Sequence, residues 1–214
     1  MAYRHAFPIG SIMMATAFGW FLATSNKPSR AGEKEFRPTF EADMPVNFPS
    51  YTPVGEVRVK QYPAYRKAEA DASRGRAFWA LFSHIKKNGV AMTAPVEMTY
   101  ADGKAEREGT MAFLYGKPDM GQVGIQGKVK VVDVPALVVV STGVRGARTE
   151  AAVAKAQARV DAWIEENRDR YVAAGPMRVM AYNSPFVPRN QNYFEVEIPV
   201  HPVASDDSSA GYVQ

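Results

Sequence analysis

Few side chains in this 214-residue sequence are of the types that carry out covalent or metal chemistry. Cysteine is absent, which excludes disulfides, thiolate nucleophiles and cysteine-type zinc sites. The three histidines, His5, His84 and His201, are too far apart in the sequence for a histidine-rich metal cluster, although one imidazole can still ligate a metal. Motifs of serine hydrolases, zinc proteases, phosphate loops and dinucleotide-binding folds are missing as well. The sequence therefore indicates binding rather than catalysis.

Aromatic and basic residues are concentrated in the segment 73–87, which has the periodicity of an amphipathic helix. Trp79 and Lys86 share one flank of its apolar face, and His84 lies on the other flank. Aromatic rings beside cations suit a flat anionic ligand, although Lys86 and Lys87 are also explained by the helix dipole. We expect the residues of the apolar face to be core: Phe78, Leu81, Phe82 and Ile85.

Two carboxylates leave an enzymatic alternative open. Glu97 and Glu195 fall in or beside predicted strands, close to Pro95 and Pro185. A pair of acids in a groove could carry out acid–base catalysis. Solvent-exposed strand positions explain the same two residues, and we expect that simpler outcome.

The N-terminal region is predicted to lie outside the fold. Arg4 precedes an uncharged run over residues 6–23, a pattern typical of an export signal or membrane anchor. We predict a signal peptide or N-terminal membrane anchor over 1–25 and hence an extracytoplasmic location, periplasmic or secreted, with membrane attachment through 6–23 if the run is retained. The remaining predicted divisions are a linker and extended lead-in over 26–53, a folded domain over 54–202 and a disordered tail over 203–214.

The charge of the chain argues against nucleic acid as a partner. The formal net charge is +4 and the isoelectric point is about 9.2, which is mildly basic. Lysine and arginine are scattered, and no block of them is longer than a pair. We therefore expect the partner to be a small molecule. We also expect the protein to be a monomer.

The sequence contains an internal repeat. The stretch "GEVRVKQYPAY" from Gly55 aligns without gaps with "GKVKVVDVPAL" from Gly127. A second echo pairs "VAMTAPV" from Val90 with "MAYNSPF" from Met180. Two echoes in the same order predict a duplication.

Each half has the pattern of a strand, a helix and two further strands. The predicted fold class is α+β, with duplicated β-α-β-β repeats forming a distorted antiparallel β-barrel flanked by two helices and a groove between the halves. The predicted elements are strands at 57–65, 90–100 and 110–115 with a helix at 73–87, then strands at 128–142, 178–183 and 193–200 with a helix at 149–171.

The stretch "VAMTAPV" after the first helix resembles the "Ile-Ala-Met-Thr-x-Pro-Val" strand of the SOUL haem-binding family. The resemblance covers roughly Val54 to Val200 and includes "AFWALFSHI", "YNSPFVP" and "FEVEIPV". It implies a barrel of two β-α-β-β repeats. It also implies non-catalytic binding of haem or another tetrapyrrole in a hydrophobic groove beside the first helix, as a carrier, buffer or sensor.

The resemblance also suggests that Tyr182 lies next to the groove, because it matches the family tyrosine, and it implies no fixed axial ligand. His84 is the candidate metal ligand because of its position on the helix beside the predicted groove. The loop "KKNG" is shorter than in many members, and the family's Arg-Asn-Glu entry to the last strand is Tyr193-Phe194-Glu195 here. The predicted cofactor-binding residues are Trp79, His84, Lys86, Lys87, Met92, Tyr182 and Arg189.

Two alternatives to haem binding stay open at this point. The first is a binding module for other hydrophobic or planar small molecules, similar to gyrase-inhibitor-like ligand-binding domains. The second is an enzyme that acts on such a ligand through groove carboxylates.

Overall fold

The computed structural model describes residues 36–72, 76–100 and 108–203. The described residues belong to one compact unit that begins at Phe36. The predicted signal or anchor segment lies outside the described residues, as does the predicted tail after Val203. Among the residues that the structure describes, no helix is both long enough and apolar enough to cross a membrane.

The described fold contains two helices and an antiparallel sheet, which confirms the predicted α+β class. The helices are α1 (Ala77–Lys87) and α2 (Glu150–Glu166). The strands of the first half are β1 (Val57–Tyr62), β2 (Tyr65–Asp71), β3 (Val96–Tyr100) and β4 (Glu108–Leu114). Those of the second half are β5 (Gly124–Gln126), β6 (Val129–Val134), β7 (Leu137–Arg145), β8 (Tyr171–Ala173), β9 (Arg178–Ala181) and β10 (Tyr193–Pro202).

The order of the strands in the sheet confirms the duplication. The order is β1-β7-β10-β9-β3-β4-β2-β6-β5, and β8 pairs with β10 outside this path. Exchanging β1 with β6, β2 with β7, β3 with β9 and β4 with β10 reverses the path around the central β9–β3 pair. The first strand of each repeat pairs with the second strand of the other repeat. The path is open between β1 and β5, so a barrel describes the sheet only loosely.

Prolines divide the long strands that the sequence predicts. Pro63 separates β1 from β2, and Pro135 separates β6 from β7 at the matching place in the second repeat. Proline lacks the N–H group that a sheet interior requires, which explains both breaks. The second pair of similar segments, from Val90 and from Met180, does not occupy equivalent places in the two repeats. Pro95 directly precedes β3, whereas Pro185 lies in the loop after β9.

Both helices pack on the same face of the sheet. Residues paired across neighbouring strands point to one face, and Ala70, Met111, Met98 and Val179 form such a row from β2 to β9. The first two of these pack in the cluster under α1, and the last two pack in the cluster under α2. The apolar stripes of the two helices therefore cover adjacent parts of one sheet face.

The opposite face of the sheet is covered by residues 36–53, here called the strap. Its backbone is held by hydrogen bonds from Val46 N to Gly116 O and from Ala94 N to Asp43 O, each 3.0 Å long. The sequence places this extended segment outside the folded domain, but from Phe36 onward it packs as part of the compact unit. The large apolar and aromatic strap side chains that cover the sheet are Phe36, Phe40, Met44, Phe48 and Tyr51.

Candidate functional site

Three aromatic side chains of α1 are exposed side by side. Phe78, Trp79 and Phe82 are 37%, 67% and 40% exposed, and their ring centroids are 5.5–6.2 Å apart. The prediction that Phe78 and Phe82 are core residues is wrong. The buried stripe of α1 instead consists of Ala77, Leu81, His84 and Ile85. The helix is therefore rotated about its axis relative to the predicted orientation, and Phe78 and Phe82 face outward.

Positive charge lies next to this aromatic surface, which we define as Phe78, Trp79 and Phe82. Lys86 and Lys87 are exposed at the end of α1, and Lys86 follows Phe82 by one helical turn. Arg76 precedes the helix and is also exposed. The segment from 76 to 88 contains no acidic residue. The helix therefore presents flat apolar rings and cations together, a combination that suits a planar anionic amphiphile.

His84 is buried and fully engaged in hydrogen bonds. Its exposed fraction is 8%, its Nε2 lies 2.8 Å from the Tyr115 hydroxyl, and its Nδ1 lies 3.3 Å from Nδ2 of Asn88. Burial lowers the pKa of His84 below its usual value, and the charge of Lys87 lowers that pKa further. The imidazole is therefore neutral near pH 7. Ligation of iron by His84 stays a prediction, and it requires one of these hydrogen bonds to break.

The remaining predicted site residues are spread over other parts of the structure. Met92 is half-buried and packs against the cluster under α1. Arg189 is exposed in the loop between β9 and β10. Tyr182 is buried under the strap, where Phe40 stacks on it with ring centroids 4.8 Å apart. Tyr182 therefore belongs to a different cluster of side chains from the aromatic surface.

A cluster of buried charges lies between the sheet and the strap. Arg178 Nε donates to Glu197 (2.9 Å), and Arg178 Nη1 lies 3.3 Å from the Glu97 carboxylate. Lys60 Nζ lies 2.8 Å from Glu195 and 3.4 Å from Glu197. The three cations balance the three carboxylates, which offsets the cost of removing them from water. The members of this buried charge cluster are Lys60, Lys67, Arg178, Glu97, Glu195 and Glu197.

Tyrosine hydroxyls complete the hydrogen bonding of the three carboxylates. Burial is the main cause that raises the pKa of each of these tyrosines, and the neighbouring glutamate charges raise it further. The hydroxyls therefore stay protonated and act as donors. Three of them donate to a carboxylate, in the pairs Tyr62–Glu197 (2.8 Å), Tyr65–Glu97 (3.0 Å) and Tyr182–Glu195 (2.7 Å), and the Tyr193 hydroxyl lies 3.1 Å from Glu195.

The carboxylates of this cluster are arranged as structural ion pairs. Glu97 and Glu195 are 2% and 0% exposed, so the expectation that they are solvated strand residues is wrong. Burial alone would raise the pKa of Glu97, but the charges of Arg178 and Lys67 outweigh it and the pKa is lowered. The pKa of Glu197 is lowered in the same way, because the charges of Arg178 and Lys60 outweigh the effect of burial. Carboxylates held ionised by salt bridges cannot donate a proton near neutral pH, so the geometry does not favour acid catalysis.

The strap is anchored in this cluster through Thr52. The Thr52 backbone N–H donates to Glu195, its carbonyl accepts from the Tyr193 hydroxyl (2.5 Å), and its hydroxyl lies 3.0 Å from that of Ser141. Gly143 lies directly beneath this contact, and a Cβ atom there would collide with the Thr52 carbonyl oxygen. The absence of a side chain at Gly143 therefore allows the strap to lie flat on β7.

Two open grooves are found elsewhere on the surface. One, of about 320 Å³, lies beside β2 and the β5–β6 hairpin, and the other, of about 400 Å³, lies near the end of β10 and is lined mostly by apolar residues, with Gln61 and His201. None of the predicted cofactor-binding residues lines either groove. The sheet face between the two repeats, where the sequence predicts a groove, is occupied by the strap.

The sequence of the chain matches the profile of one protein family. The profile described as SOUL heme-binding protein matches residues 46–199, which is well over half of the sequence. The chain belongs to the SOUL heme-binding protein family. The predicted family resemblance is therefore confirmed, and the matched region includes part of the strap. A search of curated protein sequences finds no match to this SOUL chain.

Solved structures share the fold of this SOUL protein at low sequence identity. EcmrR in complex with DNA matches with a TM-score of 0.56 and 17% identity, over 69% of this chain and 58% of the EcmrR chain. An uncharacterized conserved protein from Listeria innocua matches with a TM-score of 0.53 and 14% identity, over 71% and 95% of the two chains. A hydrolase from Listeria innocua matches with a TM-score of 0.50 and 14% identity, over 71% and 94%. These identities establish the fold alone, and the SOUL chain spans less than two thirds of the EcmrR chain.

Proposed function

We propose that this SOUL protein binds haem or another tetrapyrrole without catalysis, as a carrier, buffer or sensor, on the aromatic surface of α1. The observation that carries the proposal is the group of three adjacent exposed rings beside Lys86 and Lys87 on a helix without acidic residues. A contiguous exposed apolar patch of this kind is a common mark of a binding site. Membership of the SOUL family supports haem as the ligand.

The residues of α1 fit the chemistry of a haem edge. Trp79 and Phe82 offer flat surfaces to a macrocycle, and Lys86 and Lys87 offer ammonium groups to its propionates. Haem iron would supply a Lewis-acid centre, and His84, which lies in the buried stripe of α1, would be the candidate ligand to it. The aromatic surface recognises the macrocycle and the two lysines recognise its carboxylates, so binding does not depend on a bond to the iron.

The same surface supports other planar amphiphiles as ligands, because rings and lysines do not recognise iron. Protoporphyrin IX, which lacks the metal, distinguishes the two cases. Equal affinities for hemin and protoporphyrin IX would support ring recognition, and tighter binding of hemin would support a contribution from the iron. The buried, salt-bridged carboxylates support a binding function over an enzymatic one.

Hemin titration of the purified protein tests the proposal. We expect a shift of the Soret band and saturable quenching of tryptophan fluorescence at micromolar hemin. Trp79→Ala combined with Phe82→Ala should weaken binding by about tenfold or more, because both ring contacts are lost. Ile125→Ala is the matched control, since Ile125 is an exposed apolar residue on β5, and it should leave the affinity unchanged. The absence of a Soret shift and of saturable quenching in the wild-type protein would overturn haem binding.

A further inference from the structure

The aromatic surface of α1 also has the composition of a membrane contact. We propose that α1 docks on the surface of an anionic lipid bilayer, with the three rings in the interfacial layer and the flanking cations at the headgroup phosphates. The inference rests on the proposed function in one respect, because the docking surface coincides with the proposed haem surface. A hydrophobic ligand would then pass between the bilayer and the protein at the place where the two meet.

The shape of the aromatic surface favours insertion at an interface. Trp79 is the most exposed of the three rings, and tryptophan prefers the boundary between headgroups and acyl chains. Phe78 and Phe82 are partly exposed beside it, so one apolar patch enters the lipid together. Removing this apolar area from water stabilises the contact.

The charges around the patch complement an anionic surface. Arg76 precedes the helix, Lys86 and Lys87 end it, and the segment between them carries no aspartate or glutamate. Each basic residue near an anionic leaflet strengthens binding by about fivefold. Basic residues with aromatic residues on one helix are typical of helices that lie in the interface.

The buried side of α1 holds the helix in the orientation that exposes the aromatic surface. Leu81 and Ile85 are buried against the sheet, in contact with the apolar cluster that contains Ala68 and Phe113. The helix cannot rotate without exposing these residues to water. The aromatic rings are therefore held outward by the fold before any membrane is present.

The sequence also predicts a membrane attachment in the same chain. The uncharged run over residues 6–23 is expected to be an export signal or anchor. If the run is retained, the folded unit and the membrane anchor belong to the same chain. Such a tether would raise the local concentration of lipid around α1, so that a weak surface contact becomes effective.

Single-tryptophan variants of the full chain test the docking. The sequence contains Trp20, Trp79 and Trp163. In Trp20→Phe/Trp163→Phe the reporter is Trp79, and in Trp20→Phe/Trp79→Phe it is Trp163, a half-buried residue of α2 that packs against Tyr171. Vesicles of phosphatidylcholine and phosphatidylglycerol with brominated acyl chains should quench Trp79 and leave Trp163 nearly unaffected. Equal quenching of both reporters would overturn the proposal.

The role of the cations is tested in the Trp79 reporter background. Lys86→Gln/Lys87→Gln should weaken binding to the anionic vesicles by about thirtyfold, and vesicles of phosphatidylcholine alone should bind weakly. Lys117→Gln/Lys128→Gln is the matched control, because both lysines are exposed outside α1. Equal losses in the two double variants would mean that α1 does not direct the contact, and would overturn it.

The outcomes also separate docking from haem binding. A Soret shift in vesicle-free buffer without quenching of Trp79 by brominated lipid would leave haem binding in place and overturn docking. Quenching of Trp79 without a Soret shift would support docking and overturn haem as the ligand. A dimer in light scattering that Trp79→Ala abolishes, together with no quenching, would show that a second copy covers the patch and would overturn docking.

Discussion

Arg178 and Glu197 form a buried ion pair across strands β9 and β10. They are direct partners in the strand register, and Arg178 Nε donates to the Glu197 carboxylate over 2.9 Å. Their side chains are 5% and 0% exposed. Because water cannot replace either partner, removing one leaves an unpaired charge inside the protein.

Arg178→Met should therefore destabilise the protein strongly. We expect the free energy of unfolding in urea to fall by about 3–5 kcal/mol, since Glu197 and Glu97 both lose a cation. The control is Arg58→Met, which breaks an ion pair with Glu56 that is half exposed and should cost at most about 1 kcal/mol. Similar losses for the two variants would contradict the structural role of the cluster. If Arg178→Met does not fold, Arg178→Lys keeps the charge and should give an intermediate loss.

Gly143→Ala should loosen the strap. The new methyl group would meet the carbonyl oxygens of Thr52 and Pro53, which are backbone atoms and cannot rotate away. We expect a loss of about 1–3 kcal/mol in the free energy of unfolding and faster proteolytic cleavage within residues 36–53. Gly116→Ala is the control, because its methyl group would lie 3.9 Å from the nearest atom of Thr93. If Gly143→Ala is cleaved within residues 36–53 at the same rate as the wild-type protein, the strap does not depend on this contact.

Much of the fold could be predicted because the repeats are visible in the sequence. The matching prolines at Pro63 and Pro135 break equivalent strands, and the echo around them identifies the two halves. The strand order could not be predicted in the same way, because β1 pairs with β7 and β6 pairs with β2 through contacts between the halves. Such pairings depend on residues far apart in the chain, which local periodicity does not report.

The burial of the charge cluster could not be predicted from the sequence pattern. Glu195 and Glu197 alternate with apolar residues, a pattern that normally places acids on the solvated face of a strand. That face is covered here by the strap, in a contact between Thr52 and Glu195 across 143 residues of sequence. The aromatic residues spaced through the strap were the available signal, because a solvated linker has no need of Phe40 or Phe48.

Stability should fall in a specific pH window because of His84. Burial lowers the folded-state pKa of His84 below the unfolded value of about 6.5, so the unfolded chain binds the proton first. The stabilising contribution is complete above pH 6.5 and is lost as the pH falls through the lower folded pKa. His84→Gln should flatten the change in urea midpoint between pH 7.5 and 5.5, whereas His201→Gln, at an exposed position, should keep the wild-type profile. Glu97 and Glu197 have lowered pKa values and lose their contribution only below about pH 4.3, outside this window.

Ligation of haem iron by His84 can be tested through its hydrogen bond to Tyr115. The Tyr115 hydroxyl lies 2.8 Å from Nε2, one of the two ring nitrogens that could bind the metal. Tyr115→Phe removes this partner and should increase the low-spin fraction of the hemin complex in the Soret and electron paramagnetic resonance spectra.

The matching variant His84→Ala should abolish the low-spin fraction in both the wild-type and the Tyr115→Phe backgrounds. Hemin affinity should change less than it does in Trp79→Ala, because the rings and lysines of α1 supply most of the contact. Circular dichroism establishes that each variant is folded, and His84→Gln, which keeps a polar group, replaces His84→Ala if it is not. Unchanged spectra for His84→Ala would show that the prediction of His84 as the iron ligand is wrong, while the aromatic surface would keep its role in binding the ring.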